Sequence, residues 1–283
     1  MKKQKLAVVF AALLTMVGFS SCLNSEDDGI REWGGYFEVN NTYGSVNFVD
    51  PTGIQLVPNK TIIDAPASSA LAYINYQYKD DDMAQIEQTK KLPVTLLQDP
   101  VYLKRLDCLT TTLPEETKTV SIYSLGERDA LVWGNNKYLI LAPTILLKKG
   151  TTSENLSTEL LNHRLTLYYL SAEGDEDANT LKLYLRYEIS GIGGSSTEET
   201  DDKESWASDY NVRYTNVSHV NLQPIISMYK STHSGSEPEK VTVEYEYNNS
   251  TSSIPTIAKK QTKTVTYNSV SYTHLRAHET SQD

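Results

Sequence analysis

Five histidines, two cysteines and a few acidic or glycine-bearing runs are the residues of this chain able to do chemistry. His274 and His278 stand four apart, the separation at which two imidazoles on one helix face share a zinc ion. The peptide that holds them, from Val270-Ser271-Tyr272-Thr273 through to Glu279-Thr280, resembles translated sequencing-adapter read-through. Residues 269–283 are therefore a doubtful tail, and no function is assigned beyond about Asn268. His163 and His219 fall on neighbouring strand candidates and could approach one another, but a lone strand histidine is more often a packing or hydrogen-bonding residue. Asp175-Glu176-Asp177-Ala178-Asn179 opens like a calcium loop, yet Thr180 stands where that loop needs glycine and Arg186 where it needs glutamate. Gly191-Ile192-Gly193-Gly194 follows a strand as a dinucleotide turn would, but the acids after it would repel a pyrophosphate. No serine lies in a Gly-x-Ser-x-Gly setting, no His-Glu-x-x-His occurs, and the carboxylates gather in solvated runs such as Asp80-Asp81-Asp82. The expectation is no catalytic centre, no bound cofactor and no structural metal.

Cys22 is the exception. Lys2, Lys3 and Lys5 precede an uncharged apolar run at residues 6–19, which ends in Phe19-Ser20-Ser21-Cys22. That run falls short of the roughly 18 to 20 apolar residues a bilayer requires, so it reads as the core of a cleaved leader. Small residues immediately before a cysteine resemble a bacterial lipobox, which implies removal of residues 1–21 and a diacylglyceryl lipid on Cys22. Leu23-Asn24-Ser25-Glu26-Asp27-Asp28 then looks like the acidic signal that sends Bacteroidetes lipoproteins to the outer face of the outer membrane. Residues 22–34 are expected to form an acidic flexible tether, because so short a polar stretch cannot bury enough apolar surface to fold.

Removing residues 1–21 takes away three lysines and no acid, so the remaining 262 residues carry a charge near −13 where the whole chain has −10. That excess opposes nucleic acid and anionic lipid surfaces as partners. With Cys22 committed to lipid, Cys108 stands alone, no intrachain disulfide can form, and Cys108 reads as a small buried hydrophobe.

Stability must then come from an apolar core, and its pattern is β. Nineteen tyrosines against four phenylalanines, with many β-branched residues, favour strands. Candidates at 36–39, 45–49, 54–57 and 70–78, then a pair within 86–97 broken at Pro93, suit a small OB-like barrel over residues 35–105. On 70–78, Leu71, Tyr73, Asn75 and Gln77 share one face, and Ala72, Ile74, Tyr76 and Tyr78 the other. Further on, 120–123, 137–141 and 144–147 are short strand candidates, with Trp133-Gly134-Asn135-Asn136 as a turn, and Ser153 caps a helix over 152–161. Leu181, Leu183, Leu185, Tyr187 and Ile189 alternate with Lys182, Tyr184, Arg186 and Glu188, the pattern of a half-buried antiparallel strand. Strands at 217–226, 241–247 and 262–267 complete an antiparallel β-sandwich over residues 106–268, and residues 191–205 are a loop. The fold expected is all-β, with the two domains meeting near residues 100–113.

The assembled pattern resembles the NigD-like lipoproteins of Bacteroidetes. The resemblance runs from Cys22 and its acidic tether through Gln55-Leu56-Val57-Pro58 to Asn162-His163-Arg164-Leu165-Thr166-Leu167 and Thr180-Leu181-Lys182-Leu183-Tyr184-Leu185-Arg186-Tyr187. It departs from that family over residues 106–130, and Tyr187-Glu188 stands where His-Asn is usual. The resemblance implies an OB-like domain followed by a β-sandwich, with no established activity and an association with bacteriocin gene clusters.

Three functions compete. The leading one is a non-enzymatic surface lipoprotein that binds an unknown partner through its loops. The second is glycan binding by Trp33, Trp133 and Trp206, with Trp133 in a turn and Trp206 beyond the acidic loop as the candidate ligand contacts. An accessory or immunity role beside a bacteriocin cluster is imaginable, and a hydrolase is the least supported. Lipidation gives the first testable outcome. Mass spectrometry of the mature protein should find a diacylglyceryl group on residue 22, and Cys22→Ser should shift the protein from the membrane to the soluble fraction.

Overall fold

One long strand organises the N-terminal half. The computed structural model describes residues 29–42, 44–171, 179–192, 209–247 and 260–268, and it begins with β1 (Ile30–Thr42). The first part of β1 pairs antiparallel with β4 (Leu71–Lys79), from Ile30 opposite Lys79 to Glu38 opposite Leu71. Its last part, Glu38 to Thr42, pairs with β2 (Ser45–Val49). A strand that serves two neighbours in succession must bend, and glycine permits it. At Gly34 a Cβ would lie 2.3 Å from Asn75 Oδ1 and 2.8 Å from Tyr73 Oη, so a larger residue fits only if those side-chain ends move. β2 continues to β3 (Gln55–Pro58), β3 runs parallel to β5 (Lys91–Leu96), and β5 returns to β4, which closes a five-stranded barrel of the expected OB-like kind.

Three expectations change here. β1 starts at Ile30, so residues 30–34 belong to a strand rather than to the tether. Asp80–Met83 (α1) is a helical turn that leads to a second one, Ile86–Thr89 (α2), in place of an expected strand. Pro93 does not break the strand: it lies within β5 opposite Val57, and pairing with β4 is confined to Thr95 and Leu96, where no amide is missing.

The two faces of β4 have different partners, as its alternation requires. Ala72, Ile74 and Tyr76 point into the barrel core with Phe37, Phe48, Leu56, Leu92 and Val94. Leu71 and Tyr73 point outward and are buried with Tyr36, Leu103, Trp133, Tyr138 and Ile140, a second core that joins the barrel to the rest of the chain. Nine residues stitch this joint. Val101–Tyr102 (β6) pairs with β4, Lys104–Arg105 (β7) pairs with β15 (Ser218–Asn221), and Cys108–Leu109 (β8) pairs with β12 (His163–Tyr168).

Beyond the joint lie three sheets around one large core. The first has the order β7-β15-β10-β9, with β9 at Ala130–Trp133 and β10 at Tyr138–Leu141. A pair joins β11 (Thr144–Lys148) to β14 (Tyr210–Thr215), and a five-stranded sheet has the order β17-β16-β13-β12-β8. In it β13 is Thr180–Ile189, β16 is Lys240–Tyr247 and β17 is Gln261–Asn268. This half is mixed rather than antiparallel: β13 and β16 run parallel, as do β12 with β8 and β15 with β7. The chain between β13 and β16 makes the crossover that parallel neighbours require. It includes a helix the period-two reading missed, α4 (Gln223–Thr232), where a strand through 226 was expected. Asn221 Oδ1 accepts the Gln223 amide hydrogen at 3.0 Å, Pro224 sits in the first turn, and Ile225, Ile226 and Tyr229 form its buried face. The helix expected at 152–161 shrinks to α3 (Leu156–Leu160), and Asn155 rather than Ser153 occupies the cap position. Residues 120–123 form isolated bridges instead of a strand.

On β13 the leucines behave as their alternation demands: Leu181, Leu183 and Leu185 are buried and Lys182 is half-exposed. Arg186, expected in solvent, is only 7% exposed. Its guanidinium meets Glu244 Oε1 at 2.9 Å and lies 3.8 Å from Glu246 Oε1. The Lys260 ammonium lies 3.2 Å from that same Glu246 oxygen and donates to the Glu116 and Thr119 carbonyls at 2.6 and 3.1 Å. The second face of β13 is thus closed by ions that neutralise one another, which a binary apolar/polar pattern cannot reveal.

Trp133 fastens the joint. It is fully buried, and its Nε1 hydrogen is donated to the Tyr36 carbonyl of β1 at 3.1 Å. Trp133→Ala should lower unfolding stability by about 3–5 kcal/mol, because it leaves a cavity and an unpaired carbonyl. Urea unfolding followed by circular dichroism checks this, and Lys137→Ala, which removes the half-exposed ion pair to Glu38, should cost under about 1 kcal/mol.

Candidate functional site

Where the barrel meets the mixed sheets, the surface opens into a cleft of about 410 Å³. One wall is barrel: Val39 of β1 and residues 67–70 of the connection between β3 and β4. The other wall is Arg105, Cys108, Tyr138, His219 and Asn221, with the first turn of α4 at its edge. The parallel pairing of β7 with β15 sets Arg105 directly beside His219, residues 114 positions apart in sequence. Paired residues of neighbouring strands project to the same side of a sheet, so guanidinium and imidazole share one face.

His219 is 2% exposed, and its Nδ1 has no hydrogen-bond partner among the described residues. Burial pushes its pKa down to about 4; the Arg105 charge adds to this, and the backbone of Lys104 and Leu103 opposes it. The ring is therefore neutral at physiological pH. Its edge faces Tyr138, ring centroids 5.8 Å apart. Burial pushes the Cys108 thiol up to about 12, so it is no thiolate nucleophile at neutral pH.

A second cluster has the outward form of a catalytic relay. His163 Nε2 lies 3.0 Å from Glu159 Oε1, and His163 Nδ1 makes a short hydrogen bond with the Tyr187 hydroxyl. Carboxylate, imidazole and hydroxyl in that order would activate a nucleophile. Here the hydroxyl belongs to a tyrosine 1% exposed, and burial holds its pKa well above the usual phenol value. The array instead ties α3 to the five-stranded sheet. Burial works against the Glu159 charge, yet hydrogen bonds from His163 and the Lys148 amide hold its carboxyl below the usual range.

The expected contacts do not assemble. His163 and His219 do not meet, each being held in its own cluster, and among the described residues no three His, Cys, Asp or Glu side chains gather as a metal site. Trp133, the expected ligand contact, is consumed by the domain joint and offers no face to a ligand, because β9 carries it inward before the turn begins. Trp206, Cys22, His274 and His278 lie outside the described residues. Sequence reading missed Arg105 entirely. An arginine next to Lys104 between two leucines carries no signal until β15 is placed beside it.

No family model and no curated protein matches the sequence. Solved structures do. A candidate lipoprotein from Bacteroides fragilis matches with a TM-score of 0.64 at 22% identity, over 85% of this chain and 99% of its own. A protein of unknown function from Bacteroides vulgatus covers 86% of this chain and 92% of its own at a TM-score of 0.49 and 12% identity. A NigD-like immunity protein from Bacteroides caccae covers 81% and 90% at a TM-score of 0.45 and 10% identity. The Bacteroides fragilis match shows that this chain shares the fold of a Bacteroidetes candidate lipoprotein.

His219 also sets a pH dependence. Its folded pKa of about 4 lies below the ordinary 6.5, so the unfolded chain takes up the proton first. Stability is fully present above about 6.5 and falls as pH drops towards 4. Between pH 7.5 and pH 5 the loss traceable to this group should be about 2 kcal/mol. It is measured as the difference in urea-unfolding free energies between the wild type and His219→Gln at each pH.

Proposed function

We propose that this protein is a lipid-anchored, non-enzymatic binding module held at the outer face of the outer membrane. The observation that carries the binding role is the cleft at the domain joint. Its walls come from strands fixed by the Trp133 and Leu71 core, so recognition groups from two folding units are held in one geometry without a moving part. The anchor rests on the leader that ends at Cys22, and the shared fold of the Bacteroides fragilis candidate lipoprotein supports it. Binding rather than turnover is favoured because the carboxylate–imidazole–phenol array is sealed and the Cys108 thiol stays protonated. The negative charge of the chain argues against nucleic acid as the partner.

Protease added to intact cells should cut the protein while a periplasmic control survives. Protection of the protein with a known surface lipoprotein cut would place it on the inner side.

A further inference from the structure

We propose that a second pocket at the domain joint, apart from the cleft, binds a small aromatic carboxylate, its ring among tyrosines and its carboxylate at Lys104 and Asn216. The site goes beyond the cleft-based reading and stands independently of it.

β7 separates the two openings. Its two residues project to opposite sides of the strand, so while Arg105 lines the cleft, Lys104 lines a pocket of about 150 Å³. On the barrel side the pocket is lined by the outer face of β1 and β4, where Tyr36 and Tyr73 are buried edge to face with centroids 5.3 Å apart. The rest of its lining comes from residues 101–103 of the joint and from Tyr214, Asn216 and Val217. Both of these stretches are tied by backbone: the Leu103 amide donates to the Leu71 carbonyl at 2.9 Å, and the Asn216 amide to the Pro143 carbonyl at 2.9 Å. The shape is therefore set before a ligand arrives.

Size, lining and polar groups each narrow the ligand. An apolar protein cavity of about 150 Å³ takes up one benzene ring, so the pocket suits a single ring rather than two. Tyrosines from three strands, with Val101, Leu103 and Val217, offer an aromatic and aliphatic lining, against which a flat ring packs edge to face or offset. Burial raises the phenol pKa of Tyr73 and of Tyr214, so their hydroxyls stay neutral and set no negative charge against an anion. Lys104 and Ser218 are register partners and share one side of the strand pair. Ser218 Oγ donates to Asn216 Oδ1 at 2.9 Å, which leaves the Asn216 Nδ2 hydrogens as donors. No ion pair joins Lys104 to a described carboxylate, and no carboxylate lines the pocket. An ammonium and an amide N–H₂ beside an apolar pocket are donors only, the complement of a carboxylate. Acetate would satisfy them but leave the pocket unfilled, a neutral aromatic would fill the pocket but leave them unanswered, and an aromatic amine would be repelled by Lys104.

Isothermal titration of the mature lipoprotein in detergent at pH 7 tests this, with benzoate, benzyl alcohol, acetate and 2-naphthoate as probes and injections into detergent alone subtracted. Benzoate should bind, with benzyl alcohol and acetate each at least about tenfold weaker, the loss expected for a missing charge-assisted hydrogen bond or an unfilled pocket. 2-Naphthoate should bind more weakly than benzoate, whereas adsorption to a general apolar surface would reverse that order because the larger ring buries more area. Lys104→Gln, at an exposed position, should bring benzoate down to the level of benzyl alcohol and leave the urea-unfolding midpoint in place. Val217→Phe, which sets a ring of the protein's own at the pocket, should abolish benzoate binding; if that variant fails to fold, Lys104→Gln decides. Absence of a benzoate signal up to about 10 mM, tighter binding of 2-naphthoate or equal binding of benzyl alcohol or acetate would overturn the proposal, as would full benzoate affinity in Lys104→Gln or in folded Val217→Phe. None of these results touches the cleft or the surface location, which proteolysis of intact cells tests separately.

Discussion

The hydrogen bond from the Trp133 indole to the Tyr36 carbonyl, set inside an apolar cluster of residues from both halves, is the constraint on which the architecture rests. A small barrel buries a modest core of its own and leaves the outer face of β4 apolar, with Leu71 and Tyr73 on it. Exposed, that face would be an aggregation liability. Covered by Trp133, Tyr138 and Ile140, it becomes the joint, and the indole hydrogen bond sets its register at a carbonyl of β1. The edge-to-face contact of Tyr36 with Tyr73, centroids 5.3 Å apart, and the tilted packing of Trp133 on Tyr138 fill the same layer.

Everything that makes the cleft follows from that joint. The stretch from Val101 to Leu109 adds a two-residue strand to the barrel, to the four-stranded sheet and to the five-stranded sheet in succession. A segment tied to three sheets has little freedom, so Arg105 and Cys108 are held where they stand. His219 is positioned by β10 on one side and β7 on the other, with Ile140 and Arg105 as its register partners. The polar groups of the cleft are thus preorganised by backbone ladders, and a ligand would pay little ordering entropy on the protein side.

The buried ions on the far face of β13 show a different solution. Arg186, Glu244, Glu246 and Lys260 sit where a second apolar layer would otherwise be needed. Such networks rarely add much net stability against well-packed apolar side chains, since desolvation offsets attraction. What this one does is join distant segments: Lys260 reaches the carbonyls of Glu116 and Thr119, and Val120 and Ile122 bridge to Tyr187 and Tyr247 at the ends of β13 and β16. Charge pairing specifies which segment crosses there, a choice that interchangeable apolar contacts leave open.

How much of this was legible divides along the range of the interactions. The β character of the chain is read from contiguous residues, because alternation is a local property of a strand with one buried face. The OB-like barrel followed because its strands succeed one another closely in sequence, and the two faces of β4 were assigned correctly down to the residue. Where neighbours are remote in sequence the reading failed. Arg186 looked solvent-facing because its acidic partners are 58 and 60 residues away, Trp133 looked like a platform because the barrel that buries it is 97 residues upstream, and α4 was taken for strand. The sheet direction in the C-terminal half and the pairing of Arg105 with His219 belong to the same class. Residue types and local periodicity determined the strand content and the barrel. Tertiary structure alone decided what the second face of each strand meets, because a side chain's burial there depends on which distant segment arrives to cover it.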